Sequence, residues 1–125
     1  MIIKELNVED YENFQELAER VMEVHEELFP DATLETQCAK FAEEFEEFRT
    51  YKNDEETKFE LADMFIVACG IRRFNYGIFH MIFYGILQGI PDNHEFAEAI
   101  VTKMNKNIKR KWDNKKGLYK HTTLN

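Results

Sequence analysis

The segment from Phe59 to Cys69, which reads FELADMFIVAC, constrains the fold of this chain more than any other feature. Its residues are apolar around almost the whole circumference of a helix, as is typical of a helix buried among others. Glu60 and Asp63 interrupt this apolar surface, and their spacing places them on one strip of the helix. A buried carboxylate is costly unless it finds a cation, hydrogen bonds or a proton. The segment therefore predicts a buried helix whose two acids meet either an arginine or lysine side chain or a metal ion.

Helical periodicity and capping residues predict the rest of the fold. Four main helices are expected over about 8–29, 34–52, 54–74 and 93–112, with a short apolar helix over about 78–87. The short connections between them favour antiparallel neighbours. We therefore expect an all-α fold, an antiparallel helical bundle of four main helices plus a short apolar helix, completed by oligomerisation. One domain is expected over 1–125, with its core over about 8–112 and a polar C-terminal tail over 113–125.

Charge and composition exclude several classes of function. The net charge of −8 argues against a surface that binds DNA or RNA polymers, which requires an excess of lysine and arginine. The most apolar stretch, 64–90, contains two arginines, an asparagine and a histidine, which argues against a membrane span. The N-terminal residues do not form a signal peptide, so a cytoplasmic location is expected. Cys38 and Cys69 are expected to be reduced core residues.

The second helix can supply acids to the same site as the third. Gln37, Lys40, Glu44 and Glu47 form a polar strip beside its apolar stripe. Acidic pairs at this spacing recur elsewhere in the chain, so the spacing alone indicates little. Four inward-facing carboxylates nevertheless suit a hard cation with oxygen ligands, such as Mg²⁺ or alternatively Mn²⁺. The chain has no Cys/His cluster for zinc and no Glu-x-x-His pair for a di-iron centre.

The last helix carries cations on one face. Lys103, Asn107 and Arg110 are spaced i, i+4 and i+7, so a continuous helix would present all three together. One interpretation is a basic surface that offsets the acidic helices. The other is a phosphate-binding face opposite the carboxylates, with metal ions on one side of the phosphates and fixed donors on the other.

These segments together are similar to a known family. The chain reads KFAEEFEEF over 40–48 and ELAD over 60–63, with twelve residues between the two acidic motifs, and KMxxNxxRxW over 103–112. This pattern resembles the MazG-like all-α nucleoside triphosphate pyrophosphohydrolases. The resemblance implies that Glu44, Glu47, Glu60 and Asp63 are catalytic residues and Mg²⁺ ligands. It further implies substrate contacts near the phosphates for Lys103, Asn107 and Arg110, and we add Gln37 and Lys40 from the polar strip.

The expected function is hydrolysis of a nucleoside or deoxynucleoside triphosphate to the monophosphate and pyrophosphate by a metal-activated water. The resemblance also implies a homodimer or homotetramer. Two alternatives remain: a non-enzymatic helical interaction module, and a nucleotide-binding sensor that uses the same acidic site. The apolar segment 77–90 departs from the simplest family members and is either an oligomer interface or an extra core helix. Four aromatic residues are candidates for stacking a base, although each also suits core packing: Phe48, Tyr51, Trp112 and Tyr119.

Overall fold

The computed structural model describes residues 3–50, 54–90 and 92–122, and these are mostly helical. A 3₁₀ turn at Val8–Asp10 precedes five α-helices and a two-stranded antiparallel sheet. The helices are α1 (Phe14–Leu28), α2 (Leu34–Thr50), α3 (Asp54–Arg72), α4 (Tyr76–Gln88) and α5 (Asn93–Lys109). The strands are β1 (Trp112–Lys115) and β2 (Leu118–His121).

Helix α3 is buried, as its apolar sequence predicts, and it lies at the centre of the molecule. It packs against α1, α2, α4 and α5. The fully buried ring of Phe65 contacts Phe14, Phe83 and Phe96, which come from three different helices. Burial of large aromatic and aliphatic side chains is the main stabilising contribution in such a core. Helix α3 therefore fixes the positions of the elements around it, and its polar strip faces α2.

Helices α2 and α3 run in opposite directions along their shared face. At one end Gln37 of α2 lies against Gly70 of α3, and at the other end Glu47 of α2 lies beside Glu60 of α3. On each helix the residues of the strip recur every three or four positions, so both strips stay on the contact face for about three turns. The polar strip of α2 and the acidic strip of α3 therefore face each other along their length.

The C-terminal part of the chain differs from its expected form. Helix α5 ends at Lys109, and Arg110 has extended backbone (φ −78°, ψ 155°), so Arg110 does not continue the helical face of Lys103 and Asn107. Most of the expected polar tail is a β-hairpin. Its two-residue turn has positive φ at Lys116 (54°) and Gly117 (88°), a geometry that suits the twist of hairpin strands.

The hairpin docks onto the loop between α1 and α2. Asn114 donates a hydrogen bond to Asp31 Oδ2 (2.7 Å), and the backbone N–H of Asp31 donates to the Tyr119 hydroxyl (3.2 Å). The indole N–H of Trp112 donates to the carbonyl of Asn107 (3.0 Å). A Cβ at Gly117 would lie 2.5 Å from the Asp31 carbonyl oxygen, so only glycine permits this close approach. These contacts hold the hairpin over the α2–α3 face.

Several smaller expectations also require correction. Helix α1 begins at Phe14 rather than near residue 8, because Asn13 caps it and Asn7 caps a separate 3₁₀ turn. Cys69 is buried as expected, but Cys38 is exposed on the outer side of α2. Within the ranges that the structure describes, no helix combines the length and apolar character needed to cross a membrane.

Candidate functional site

A cleft of about 490 Å³ lies between α2, α3, α5 and the hairpin. The facing strips of α2 and α3 form its floor, α5 forms one side, and the hairpin covers the other. All nine residues singled out from the sequence as catalytic or substrate-binding line this cleft: Gln37, Lys40, Glu44, Glu47, Glu60, Asp63, Lys103, Asn107 and Arg110. The strips on separate helices thus converge on one site.

Three glutamates form an acidic cluster at one end of the cleft. Glu44, Glu47 and Glu60 each place a carboxylate oxygen within 4.8 Å of the others. Glu60 is only 7% exposed, and Glu47 is exposed. Among the described residues, nothing donates a hydrogen bond to the buried Oε2 atoms of Glu44 and Glu60. Buried carboxylate oxygens without a partner are unfavourable, so the cluster has unused capacity to bind a cation.

The proton affinities of these groups reflect the same shortage of positive charge. Burial, with added repulsion from Asp63, Glu47 and Glu60, raises the pKa of Glu44 to about 8. Burial, with repulsion from Asp63 and Glu47, raises the pKa of Glu60 to about 7. Lys40 and Lys103 oppose these shifts without cancelling them. Strongly raised carboxyl pKa values in a cleft are typical of functional sites, and here they follow from packing several acids together.

Asp63 is near the three-glutamate cluster but is not part of it, and it has a protein partner. Its Oδ2 is 3.3 Å from the ammonium group of Lys103, and both side chains are about one-fifth exposed. Burial raises the pKa of Asp63, while Lys103 and Arg110 act in the opposite direction. Of the two acids on the polar strip of α3, Asp63 therefore meets a lysine. Glu60 faces the glutamates of α2, and its Oε2 has no partner in the described ranges.

The cationic side of the cleft is formed by α5 and by Arg110, the first residue after this helix. Asn107 is buried, and its side-chain oxygen accepts a hydrogen bond from Arg110 Nη1 (3.2 Å). This contact keeps the guanidinium at the cleft although Arg110 lies beyond the end of α5. Across the cleft, Lys40 donates to the Tyr119 carbonyl (3.1 Å). Lys40, Lys103 and Arg110 thus surround the cleft with donors suited to phosphate oxygens.

An aromatic cluster forms the opposite end of the cleft. The ring of Phe29 lies 4.8 Å from that of Trp112 and 4.9 Å from that of Tyr119, and His121 packs edge-on against Trp112. Two of the four aromatic candidates, Trp112 and Tyr119, therefore line the cleft. Phe48 instead packs against the core, and Tyr51 lies outside the described residues.

Sequence reasoning overlooked one buried polar residue at this end. His25 of α1 is 4% exposed, and its Nε2 lies 2.9 Å from Oε1 of Gln37. Its Nδ1 lies 3.2 Å from Nη1 of Arg73. Burial, reinforced by Arg73, lowers the His25 pKa to about 3, so the imidazole is neutral. His25 lies on the apolar face of α1 with Leu17, Val21 and Val24, and this position was a usable signal in the sequence.

The donors at the acidic end fit a hard divalent cation. The candidate ligand atoms there are all carboxylate oxygens, which Mg²⁺ and Mn²⁺ prefer. Two of the carboxylates have a buried oxygen without a hydrogen-bond partner in the described chain. The site thus pairs an anionic pocket for a cation with a ring of fixed cations and an aromatic pocket. No model of a known protein family, no curated protein and no solved structure matches the chain significantly.

Proposed function

We propose that this protein is a Mg²⁺-dependent nucleoside triphosphate pyrophosphohydrolase of the MazG-like type, which releases a monophosphate and pyrophosphate. The observation that carries the proposal is the cluster of Glu44, Glu47 and Glu60 in a cleft that also holds lysine and arginine side chains. Two buried oxygens of this cluster have no hydrogen-bond partner among the residues that the structure describes. A cleft with acids alone would suit a cation. The added cations favour a ligand with several phosphates, whose charge is shared between metal and protein.

Glu44, Glu47 and Glu60 would hold Mg²⁺, or Mn²⁺ in its place, and Asp63 would join them when Lys103 turns to the substrate. The ion would neutralise phosphate charge and activate a water molecule for attack on phosphorus. Lys103 and Arg110 stabilise the negative charge that accumulates on the departing pyrophosphate. Glu47 suits the general base, because it is the exposed member of the cluster and can pass a proton to solvent.

The dimensions of the cleft suit a nucleotide. Gln37, Lys40 and Glu44 lie on one strip of α2, and seven residues of helix span about 10 Å. Lys40 therefore lies between the acidic cluster and the aromatic cluster around Phe29. A nucleotide can place its phosphates at the glutamates and its base against Phe29, Trp112 and Tyr119, with Lys40 between them.

The direct test is an assay of pyrophosphate and monophosphate release from a panel of nucleoside and deoxynucleoside triphosphates with Mg²⁺. Glu60→Gln removes a negative charge from the cluster at nearly constant shape, so we expect turnover to fall at least about a hundredfold. Glu46→Gln is the matched control, because Glu46 is on the same helix but does not line the cleft, and it is exposed and paired with Arg49 (3.1 Å). We expect Glu46→Gln to keep wild-type turnover.

The result also separates the competing functions. Stabilisation by Mg²⁺ plus nucleotide without pyrophosphate release would identify a nucleotide sensor and refute the hydrolase. No response to either ligand would leave a helical interaction module, with the acids serving in ion pairs such as Asp63–Lys103. Turnover that survives Glu60→Gln would refute the assignment of the cluster.

The same proposal includes assembly as a cytoplasmic homodimer or homotetramer in which the helices complete a bundle. Helix α4 contains no charged residue, and its outer face exposes Tyr76, Met81 and Tyr84. In a chain with a net charge of −8, an uncharged apolar face is where a second copy can dock without charge repulsion.

A further inference from the structure

The neutral His25 determines how the Gln37 carboxamide is oriented. An arginine N–H can only donate, so His25 Nδ1 must accept from Arg73 (3.2 Å). The single proton of a neutral imidazole is then on Nε2, which donates to Gln37 Oε1 (2.9 Å). The amide oxygen therefore faces His25, and the NH₂ group is the part of Gln37 left to face the cleft.

The arrangement is also held sterically. A Cβ at Gly70 would lie 2.5 Å from Gln37 Oε1 and closer still to His25 Nε2. Any side chain at position 70 would thus enter the space between the hydrogen-bonded pair. Arg73 is fixed in turn by a 2.9 Å hydrogen bond to the Phe29 carbonyl. Three elements, α1, α2 and α3, therefore hold one carboxamide in one orientation.

The fixed NH₂ group lies at the aromatic end of the cleft. The Phe29 ring is 4.8 Å from the His25 ring and equally close to Trp112. Gln37 lines the same cleft and contacts His25, so a planar ring placed against Phe29 and Trp112 can bring an edge towards the Gln37 carboxamide. Because the NH₂ group can only donate, it favours a ring edge with a carbonyl oxygen and disfavours one with an exocyclic amine.

We propose that His25, held by Arg73, is a positioning residue that gives Gln37 a preference between bases. Gln37 selects a nucleotide whose base presents a carbonyl oxygen, as uracil and thymine do. It disfavours a nucleotide whose base presents an amine at that position, as cytosine does. This inference rests on the proposed function in that it takes the ligand to be a nucleotide. Uracil and cytosine nucleotides are suitable probes, because the two bases differ only in the group at C4 and its effect on the adjacent nitrogen.

The test measures binding of uridine and cytidine monophosphates in the presence of Mg²⁺ by the fluorescence of Trp112, the only tryptophan in the chain. We expect the wild-type protein to bind the uridine nucleotide about tenfold more tightly, the effect of roughly one net hydrogen bond. Gln37→Glu replaces the donor with an acceptor and should reverse the preference. Gly70→Ala should bring the ratio of the two affinities close to one.

Gly85→Ala is the matched control, because Gly85 is also in a helix and a Cβ there meets nothing within 4 Å. It should keep the wild-type ratio. Equal affinities in the wild-type protein, or an unchanged ratio in Gln37→Glu, would overturn the inference even if Gly70→Ala fails to fold. Base selectivity without hydrolysis would refute only the proposed function, and hydrolysis without base selectivity would refute only this inference.

Discussion

The ammonium group of Lys103 lies 3.3 Å from Oδ2 of Asp63. This ion pair links a candidate metal ligand, Asp63, to a candidate phosphate-binding side chain, Lys103. The two side chains satisfy each other, while the buried Oε2 atoms of Glu44 and Glu60 have no hydrogen-bond partner in the described part of the chain. Under the proposed function, each member of the pair would exchange its partner when a metal–nucleotide complex binds, Asp63 for the metal and Lys103 for a phosphate. The ion pair thus offsets the free-energy cost of keeping both charges partly buried when no ligand is bound.

This exchange predicts separate effects on metal binding and on substrate binding. In the absence of nucleotide, Lys103→Met should bind Mg²⁺ at least as tightly as the wild-type protein, because Lys103 no longer competes with the metal for Asp63. The same variant should raise KM for the triphosphate by roughly tenfold or more, since a charged hydrogen bond to phosphate is lost. Calorimetric titration with Mg²⁺ and steady-state kinetics measure the two effects. Weaker Mg²⁺ binding in Lys103→Met would contradict the exchange.

The raised pKa values of Glu44, about 8, and Glu60, about 7, predict how the stability of the metal-free protein depends on pH. In the unfolded chain these groups titrate near the ordinary value of 4.5. Between these values the folded protein binds more protons than the unfolded chain, so its free energy of unfolding falls as pH rises. Denaturant unfolding with a chelator should therefore show lower stability at about pH 8.5 than at about pH 6. Glu60→Gln should flatten this profile, and Glu46→Gln should not.

Metal binding should show the opposite dependence on pH. The carboxyl groups must lose their protons to bind Mg²⁺, so the apparent affinity should rise between about pH 6 and pH 9. Titrations in buffers with different enthalpies of ionisation measure the number of protons released. Release of no protons at about pH 6.5 would show that the glutamates are already ionised in the free protein.

The hairpin turn predicts a local effect on the cleft. Gly117→Ala places a Cβ at positive φ and 2.5 Å from the Asp31 carbonyl oxygen, so it should lower the free energy of unfolding by about 1–3 kcal/mol. Displacement of the hairpin should also change Trp112 fluorescence and weaken nucleotide binding. Gly89→Ala is the control, because its Cβ would meet its nearest neighbour at an ordinary 3.7 Å. Equal effects of the two substitutions would contradict the anchoring role of Gly117.

The apolar face of α4 predicts a change in assembly. Met81 is 70% exposed on this face, so Met81→Glu should introduce repulsion between copies and shift the protein towards the monomer. Sedimentation velocity over a range of concentrations measures the shift. Lys106→Glu, on the exposed side of α5, serves as the control for added negative charge. A monomeric wild-type protein would refute the proposed oligomer.

The sequence predicted best those features that depend on a single helix. The apolar circumference of α3 predicted its burial, and the spacing of Glu60 and Asp63 predicted that both acids lie on one strip, which lines the cleft. The end of α5 was predicted less well, because no proline or glycine lies within the seven residues after Lys109. There the chain leaves the helix as Arg110 bonds to Asn107 and the hairpin begins.

Features that depend on distant contacts were the ones overlooked. The hairpin has polar strands, and its docking depends on Asp31, which is 83 residues from Asn114. The aromatic cluster likewise forms only because Phe29, at the end of α1, meets Trp112 and Tyr119. The periodic pattern of residues within one helix or strand does not predict a contact between side chains so far apart in the sequence. The partnership of His25 with Gln37 required the same tertiary information.

The position of the hairpin predicts an order of events in folding. Contacts within and between α1, α2 and α3 involve the first part of the chain, whereas the wall that contains Trp112 and Tyr119 closes a loop of more than 80 residues onto Asp31. Closing such a long loop lowers the entropy of the chain before stabilising contacts form, so we expect this step to come late. We therefore expect a nascent or partly folded chain to bring its acids together before the aromatic end of the cleft is complete, so that the proposed selectivity for a base would arise last.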